Sequence, residues 1–430
     1  MNERPKVFYG WWIVAVCSLG LFLSTGTIVV LSFGVFLKPL IQDFHTGRAA
    51  VSFAFTLHNL TGALCIPLVG RVVDRFGARR VILSGTAIFA LILLSSSLLG
   101  SGLAFLYLFY TALGLVSGAA SPVPYGAVVS RWFDQRRGLA LGLMMLGIGL
   151  GGITLPLLAH RLIVMFSWRM AYAIFGCGAL LLSLPIMAAK LKNDPKEMGL
   201  LPDGVMPSQS KEIRAMPLDG LSWSDIWHQP TFWLLICALF LAGASMHACV
   251  LHMAALVTDR GISAEGAAAV SSVTGGALLI GRIGTGYLLD RLFAPRLAIL
   301  ILGSASIGIA LLFAGSGGTI AVFAAFLIGM GMGAEVDVIA FCMSRYFGLR
   351  AFGTAFGYAF AAYVLAGAVG TLLMGWGFDL THSYRMPLGI LLFSIMSAVG
   401  LMARLGPYRF AAPRVGQLRD VTTVEAPGHA

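Results

Sequence analysis

GRVVDRFGARR, Gly70–Arg80, interrupts two long apolar stretches, and GYLLDRLFAPR, Gly286–Arg296, interrupts two more 216 positions later. Outward from these loops a second pair repeats at nearly the same offset. Ser130-Arg131-Trp132-Phe133 is echoed by Ser344-Arg345-Tyr346-Phe347, 214 positions on, and each is followed by a Gly/Ala-rich apolar run. The chain is one half written twice. Repeated apolar halves are how membrane transporters are built, and their binding sites lie where the halves meet.

Composition agrees. Of 430 residues, 58% are hydrophobic and 11% charged, where a soluble domain carries roughly 25% charged residues. The net charge of +11 invites a nucleic-acid reading. Nucleic-acid proteins gather their basic residues on one face with aromatics between them. Here the basic residues sit in short loops between apolar runs, so they mark membrane topology and no nucleic-acid partner is expected. The six cysteines (Cys17, Cys65, Cys177, Cys237, Cys249, Cys342) all lie inside apolar stretches with no CxxC pair, and read as small packing residues. No nucleotide loop, metal cluster or catalytic triad is visible, so neither a cofactor nor an enzyme is expected. The first apolar run is long and lacks a small-residue cleavage site, so it is expected to stay as the first spanning helix.

A spanning helix needs about 20 mostly apolar residues. Twelve stretches qualify: 11–37, 49–70, 81–100, 103–129, 138–161, 168–189, 231–257, 266–289, 297–314, 318–343, 352–375 and 385–404. The predicted fold is an all-α membrane protein of twelve transmembrane helices in two pseudo-symmetric six-helix halves, 1–189 and 231–408. A polar stretch, 190–230, reads as a flexible cytoplasmic linker, with a short interfacial helix at Ser222–Trp227, since Trp favours the headgroup region. The tail, 409–430, reads as disordered. If the N-terminus is cytoplasmic, 22 of the 29 basic residues fall on the cytoplasmic side. Six (Lys38, Arg48, Arg161, Arg169, Arg260, Arg385) fall outside, and Arg282 lies within the eighth segment. This asymmetry puts both termini inside.

At every fixed position GRVVDRFGARR resembles the loop signature GxxxDRxGxRR of the major facilitator superfamily, through Gly70, Asp74, Arg75, Gly77, Arg79 and Arg80; Asp290 and Arg291 hold the matching places in the repeat. Gly70 permits close helix approach. Asp74 ends its helix where it can accept hydrogen bonds from Arg side chains or from another helix N-terminus. The group is expected to latch one conformation of a rocking transporter. Two further segments resemble the monocarboxylate transporter family, whose features bacterial oxalate–formate exchangers share in large part. They are Tyr9-Gly10-Trp11-Trp12 and the run Trp132-Phe133-Asp134-Gln135-Arg136-Arg137-Gly138-Leu139-Ala140-Leu141-Gly142. Glycines spaced through the fifth segment (Gly142, Gly147, Gly149, Gly151, Gly152) and the eleventh (Gly353, Gly357, Gly367, Gly370) suit close helix contact.

The intramembrane charges carry the functional reading. An uncompensated Arg282 costs about 2.5–3.5 kcal/mol on insertion scales, so it faces a wet cavity or a carboxylate. Gly281, Gly284 and Gly286 are expected to leave room around it. Its planar fork matches a carboxylate, which makes it the first candidate for binding a substrate anion; a permanent ion pair with Asp337 or Glu335 is the alternative. The resemblance implies an Arg at this place and an Asp one turn earlier, where this chain has Leu278. One buried cation suits one negative charge. Further candidates for the substrate site are His252, Tyr125, Tyr358, Tyr363 and Lys38, which resembles a family lysine near the outer mouth. His247 lies five residues from His252 and points elsewhere; His58 and Asn59 are also polar at depth. Asp337 and Glu335, about 200° apart on their helix, are the candidates for proton coupling.

The expected function is secondary active transport of a small monocarboxylate, of lactate or pyruvate type, with a proton, by a monomer in a bacterial cytoplasmic membrane. Proton-free exchange of organic anions of the oxalate/formate type is the alternative within transport. A non-transporting membrane sensor is the alternative of another class.

Overall fold

A computed structural model describes residues 8–98, 100, 102–204, 219–315 and 317–410, apart from the side chains of residues 48, 49, 204, 264, 265 and 268. Residues 411–430, nearly all of the expected disordered tail, lie outside the described residues, as do 205–218 of the linker.

Eleven helices among the described residues are long and apolar enough to cross a membrane. They are α1 (Tyr9–Leu31), α2 (Ala50–Phe76), α3 (Ala78–Leu98), α4 (Leu103–Trp132), α5 (Arg137–Met165), α6 (Trp168–Lys190), α7 (Pro230–Thr258), α9 (Ala294–Ala314), α10 (Gly318–Phe347), α11 (Phe352–Thr381) and α12 (Arg385–Ala403). The remaining expected segment forms α8 (Ala264–Leu289), 26 residues long. At 1.5 Å per residue it spans roughly 39 Å, enough for a hydrocarbon core of about 30 Å. Several helices outrun the sequence expectation by a turn or more, because charged residues such as Asp74 and Arg75 continue the helical ladder beyond the apolar stretch.

α1 is not uniform. It is α-helical over Tyr9–Phe22, widens to a π turn over Gly26–Leu31, and resumes as Phe33–Asp43. The cause is local. Thr27 donates its hydroxyl to Phe22 O at 2.7 Å and Ser24 O at 2.9 Å, and Ser32 donates to Thr27 O at 2.9 Å. Side-chain donors that take backbone carbonyls displace the regular ladder.

The helices pack in repeated pairs. α1 lies on α5 and α2 on α4; α7 lies on α11 and α8 on α10. The most extensive contacts between the first six helices and the last six are α2 with α11 and α5 with α8. Without a hydrophobic drive between helices in lipid, close backbone approach supplies the contact. A Cβ added at Gly70 would lie 2.2 Å from Gly353 O across the α2–α11 pair, and one at Gly147 would lie 2.0 Å from Ser18 O in α1. α1 begins, α2, α4, α8 and α10 end, and the linker folds at one face of the bundle, called here the terminal face.

Candidate functional site

α8 runs between α5 and α10, and the backbone of Arg282 is approached by Gly142 of α5 and Gly333 of α10. The backbone of α10 approaches α8 at Gly333, whose added Cβ would lie 2.1 Å from Leu278 O. Gly281 faces Met330 in the same way and Gly286 faces Gly138, so these two glycines admit neighbouring helices rather than leave room for the arginine; only Gly284 faces open space. Arg282 is 5% exposed. Its NH1 donates to Met145 O in α5 at 3.1 Å, and its Nε has no partner. Asp337 is close enough to interact with its charge. Yet among the described residues no ion pair joins Arg282 to Asp337 or Glu335, which corrects the permanent-pair alternative. Asp337 and Glu335 are 1% and 3% exposed, and all four carboxyl oxygens lack a hydrogen-bond partner.

The two carboxyls face different ways. Glu335 turns to α7 and α9, where it borders a small apolar cavity with Leu239, Ile301 and Met402. A Cβ on Gly243 would lie 2.9 Å from its Oε1. Tyr363 in α11 is near enough to feel Glu335, Arg282 and Asp337 together. Its ring meets His247 edge to face at 4.8 Å. His247 Nδ1 pairs with Gly243 O at 2.9 Å, which leaves Nε2 for another partner.

Other expected site residues are held elsewhere. His252 pairs with the Tyr384 hydroxyl at 3.5 Å and lies beside Gly375. From the terminal face, Arg282 is seven residues up α8 and His252 is 22 residues up α7, so roughly 20 Å of axial rise separates them. Tyr125 is 1% exposed and packs inside the first six helices, against Gly20 and with its hydroxyl 3.7 Å from Met187 Sδ. Tyr358 accepts from Arg71 at 2.7 Å and stacks on Trp223 at the terminal face. Lys38 is exposed beyond the π turn, at the far end of α1. His58 is buried against α4, where an added Cβ on Gly114 would meet its carbonyl at 2.5 Å.

At the terminal face the repeated loops form a network across the α2–α11 and α5–α8 pairs. Asp74 Oδ1 accepts from Gly353 N at 2.8 Å; its Oδ2 accepts from Thr354 N at 2.7 Å and Thr354 Oγ1 at 2.6 Å. These are the first donors of α11, so Asp74 caps a helix of the other repeat. Asp290 does the same to α5, accepting from Gly138 N at 2.6 Å and Leu139 N at 2.9 Å. Burial pushes the Asp290 carboxyl up to about 6, against the pull of its two backbone donors and Arg345. A third link is ionic. Arg345 NH1 meets Asp134 Oδ1 at 2.6 Å, and Arg137 NH2 shares that oxygen at 3.2 Å.

Of the arginines in the first loop motif, Arg71 crosses to Tyr358 of the other repeat, whereas Arg75, Arg79 and Arg80, and Arg291 of the second motif, do not. Arg79 donates to Ala188 O and ties α3 to the end of α6. Arg75 and Arg291 lie over their own neighbours, Phe76 and Tyr287, and Arg80 is exposed. Gly77, at φ +86°, makes the turn from α2 to α3. The ionic crossing falls instead to Asp134 and Arg345, with Arg137 beside Asp134 in the same half. Of these, only Arg345 was marked by the Ser-Arg-aromatic-Phe repeat.

The linker is not loose where it is described. Asp203 accepts from Asp134 N at 3.0 Å and Gln135 N at 2.8 Å. Further on, Leu349 N donates to Asp219 O at 2.7 Å and Leu221 N to Phe347 O at 2.9 Å. These bonds flank a bridge between Gly220 and Gly348, where an added Cβ on Gly348 would lie 2.4 Å from Gly220 Cα. The expected interfacial helix forms over Trp223–Trp227, capped by Ser222.

An all-helical bundle with two joined repeats and buried charge between its helices is the architecture of a multi-pass membrane transporter. The family model described as Major Facilitator Superfamily matches residues 14–371, and the chain belongs to that superfamily. It is a transporter and not an enzyme. Monocarboxylate transporter 13 of Rattus norvegicus is 27% identical over 99% of this chain and 96% of its own length. MFS transporter asaE of Aspergillus flavus is 27% identical over 87% and 81%. Among solved structures, the fucose:proton symporter FucP in the outward conformation superposes with a TM-score of 0.67 at 17% identity, covering 92% of this chain and 99% of that one. The proton:xylose symporter XylE gives 0.72 at 13% identity, covering 96% and 99%. These structures share the fold.

Proposed function

We propose that this chain moves a small monocarboxylate with a proton by alternating access. Arg282 is the anion-binding group and Asp337 the proton carrier, with Glu335 as its alternate. The observation that carries this reading is the state of Arg282. It is a buried guanidinium that donates to the Met145 carbonyl and, among the described residues, has no carboxylate within ion-pairing distance. Such a charge is tolerated in a membrane only where an anion or water completes it. Several relatives named as monocarboxylate transporters support the substrate class.

Charge balance argues for the proton. A bare anion meets both the hydrocarbon and an inside-negative potential, whereas an anion with a proton crosses as a neutral pair. Anion binding neutralises Arg282 and so favours protonation of nearby Asp337. Residues 1–189 and 231–408 are the two bodies that rock. With the terminal face cytoplasmic, the Asp74, Asp290 and Asp134 links close that side, and the conformation described is outward-facing.

The test is uptake of labelled lactate, pyruvate, formate and oxalate by proteoliposomes under an inside-alkaline gradient. The wild type is expected to accumulate a monocarboxylate. Arg282→Ala is expected to lose at least ~30-fold, the scale of a buried charged hydrogen bond. Arg282→Lys is expected to recover little of it, because an ammonium cannot form the fork. Wild-type uptake by Arg282→Ala overturns the site. Uptake that needs a counter-anion but no gradient moves the reading to exchange.

A further inference from the structure

The linker helix holds a contact that no role in substrate binding explains. Trp223 stacks flat on Tyr358 of α11, with ring centroids 4.7 Å apart and 13° between planes. Trp227 meets the same ring from the side at 5.6 Å. Held between them, Tyr358 presents its hydroxyl to Arg71 NH2 of α2 at 2.7 Å, with the guanidinium 5.7 Å from the ring centroid. Arg71 and Tyr358 belong to different repeats, so this bond is a fourth crossing of the terminal face.

The two tryptophans are themselves fixed. Ser222 and Asp225 form a reciprocal capping box at the start of the helix. Trp233 Nε1 donates to Trp227 O at 2.9 Å, and the ring of Phe232 packs against Trp223 at 5.6 Å. The bridge at Gly220 and Gly348 anchors the segment before the helix to the α10–α11 turn. The linker helix is therefore attached to the last six helices, and it reaches the first six through Tyr358.

We propose that Trp223 is a positioning residue for closure of the terminal face: by stacking on Tyr358 it aims the phenol at Arg71, and the linker helix thereby biases the transporter toward the state closed on that side. The physical basis is rotamer restriction. An unbraced phenol at the end of a flexible contact samples other rotamers, and a hydrogen bond to a partly exposed arginine does not repay that entropy alone. Aromatic stacking supplies the constraint.

This rests on the alternating-access reading, but its test needs no substrate, so it fails separately from the carboxylate assignment. Spin labels at Arg80→Cys and Arg350→Cys, in a protein otherwise free of cysteine, report the separation of the repeats at the terminal face by pulsed electron resonance. Tyr358→Phe is expected to raise the open-to-closed ratio about tenfold, the low end for a hydrogen bond to a charged group. Trp223→Ala is expected to match it, and the double variant to go no further, because one residue acts through the other. Trp223→Phe keeps a stacking ring and is expected to restore the wild-type distribution while confirming that the fold is intact. Additive effects of Trp223→Ala and Tyr358→Phe would overturn the proposal. So would a wild-type distribution in Trp223→Ala, or failure of Trp223→Phe to restore closure.

Discussion

Arg282 and His247 show what residue-level reading can and cannot reach. Hydropathy alone singles out Arg282, because an arginine inside an apolar helix needs a reason. The same logic marks both His247 and His252, but it does not say which faces inward. α7 is apolar nearly all round, so no polar stripe records its orientation. The structure puts His247 against Tyr363, which in turn feels the charges of Arg282, Asp337 and Glu335, and puts His252 at the far end against Tyr384. His247→Ala is accordingly expected to raise KM for the carboxylate about tenfold, the value of one hydrogen bond to a charged ligand, whereas His252→Ala stays within about twofold. Initial-rate uptake at varied substrate concentration separates them, and the reverse ranking contradicts the placement. Tyr125 and Tyr358 were misplaced for a related reason: an aromatic at helical depth looks the same in sequence whether it packs, braces a loop or lines a path.

At the scale of elements, the paired loops were legible and their division of labour was not. The Gly-x-x-x-Asp spacing showed that Asp74 and Asp290 end their helices, and capping of another helix was one of two options. The bonds formed are to α11 and α5. Which arginines cross between repeats could not be read, since Arg75, Arg79, Arg131 and Arg345 are equally basic and equally near a helix end. Each aspartate is expected to hold the terminal face closed. With the same pair of spin labels, Asp74→Ala, which removes three bonds, should open the face more than Asp290→Ala, which removes two. The closed state binds the Asp290 proton more tightly than a state in which this carboxyl meets water, because burial raises its pKa from 3.8 to about 6. The extra stability of closure is therefore fully present below the ordinary pKa and is lost as pH rises through about 6. The closed fraction should fall between about pH 4 and about pH 6, with Asp290→Asn shrinking the change. A pH response unaltered by Asp290→Asn rules out this carboxyl as its source.

At the scale of the molecule, length, charge asymmetry and internal repetition carried the twelve-helix reading. Less legible were the contacts of the linker's described ends. Its Pro, Gly and charged residues look flexible because composition measures the lack of an apolar core, not the docking of single side chains such as Asp203 and Trp223. The orientation proposed above rests on the basic residues. A cysteine at Glu197 should resist an impermeant thiol reagent in intact cells while one at Ser383 reacts; the opposite pattern inverts the assignment of the terminal face to the cytoplasm.

The central claim joins anion binding at Arg282 to protonation of a separate carboxyl. It is tested most directly by comparing Asp337→Asn with the wild type in proteoliposomes under two regimes: exchange between substrate-loaded sides, and net uptake driven by an inside-alkaline gradient. The account predicts that Asp337→Asn keeps exchange within a few-fold of wild type and loses gradient-driven accumulation. Full accumulation by Asp337→Asn would contradict it, and would move the proton to Glu335 or His247 or remove it from the cycle.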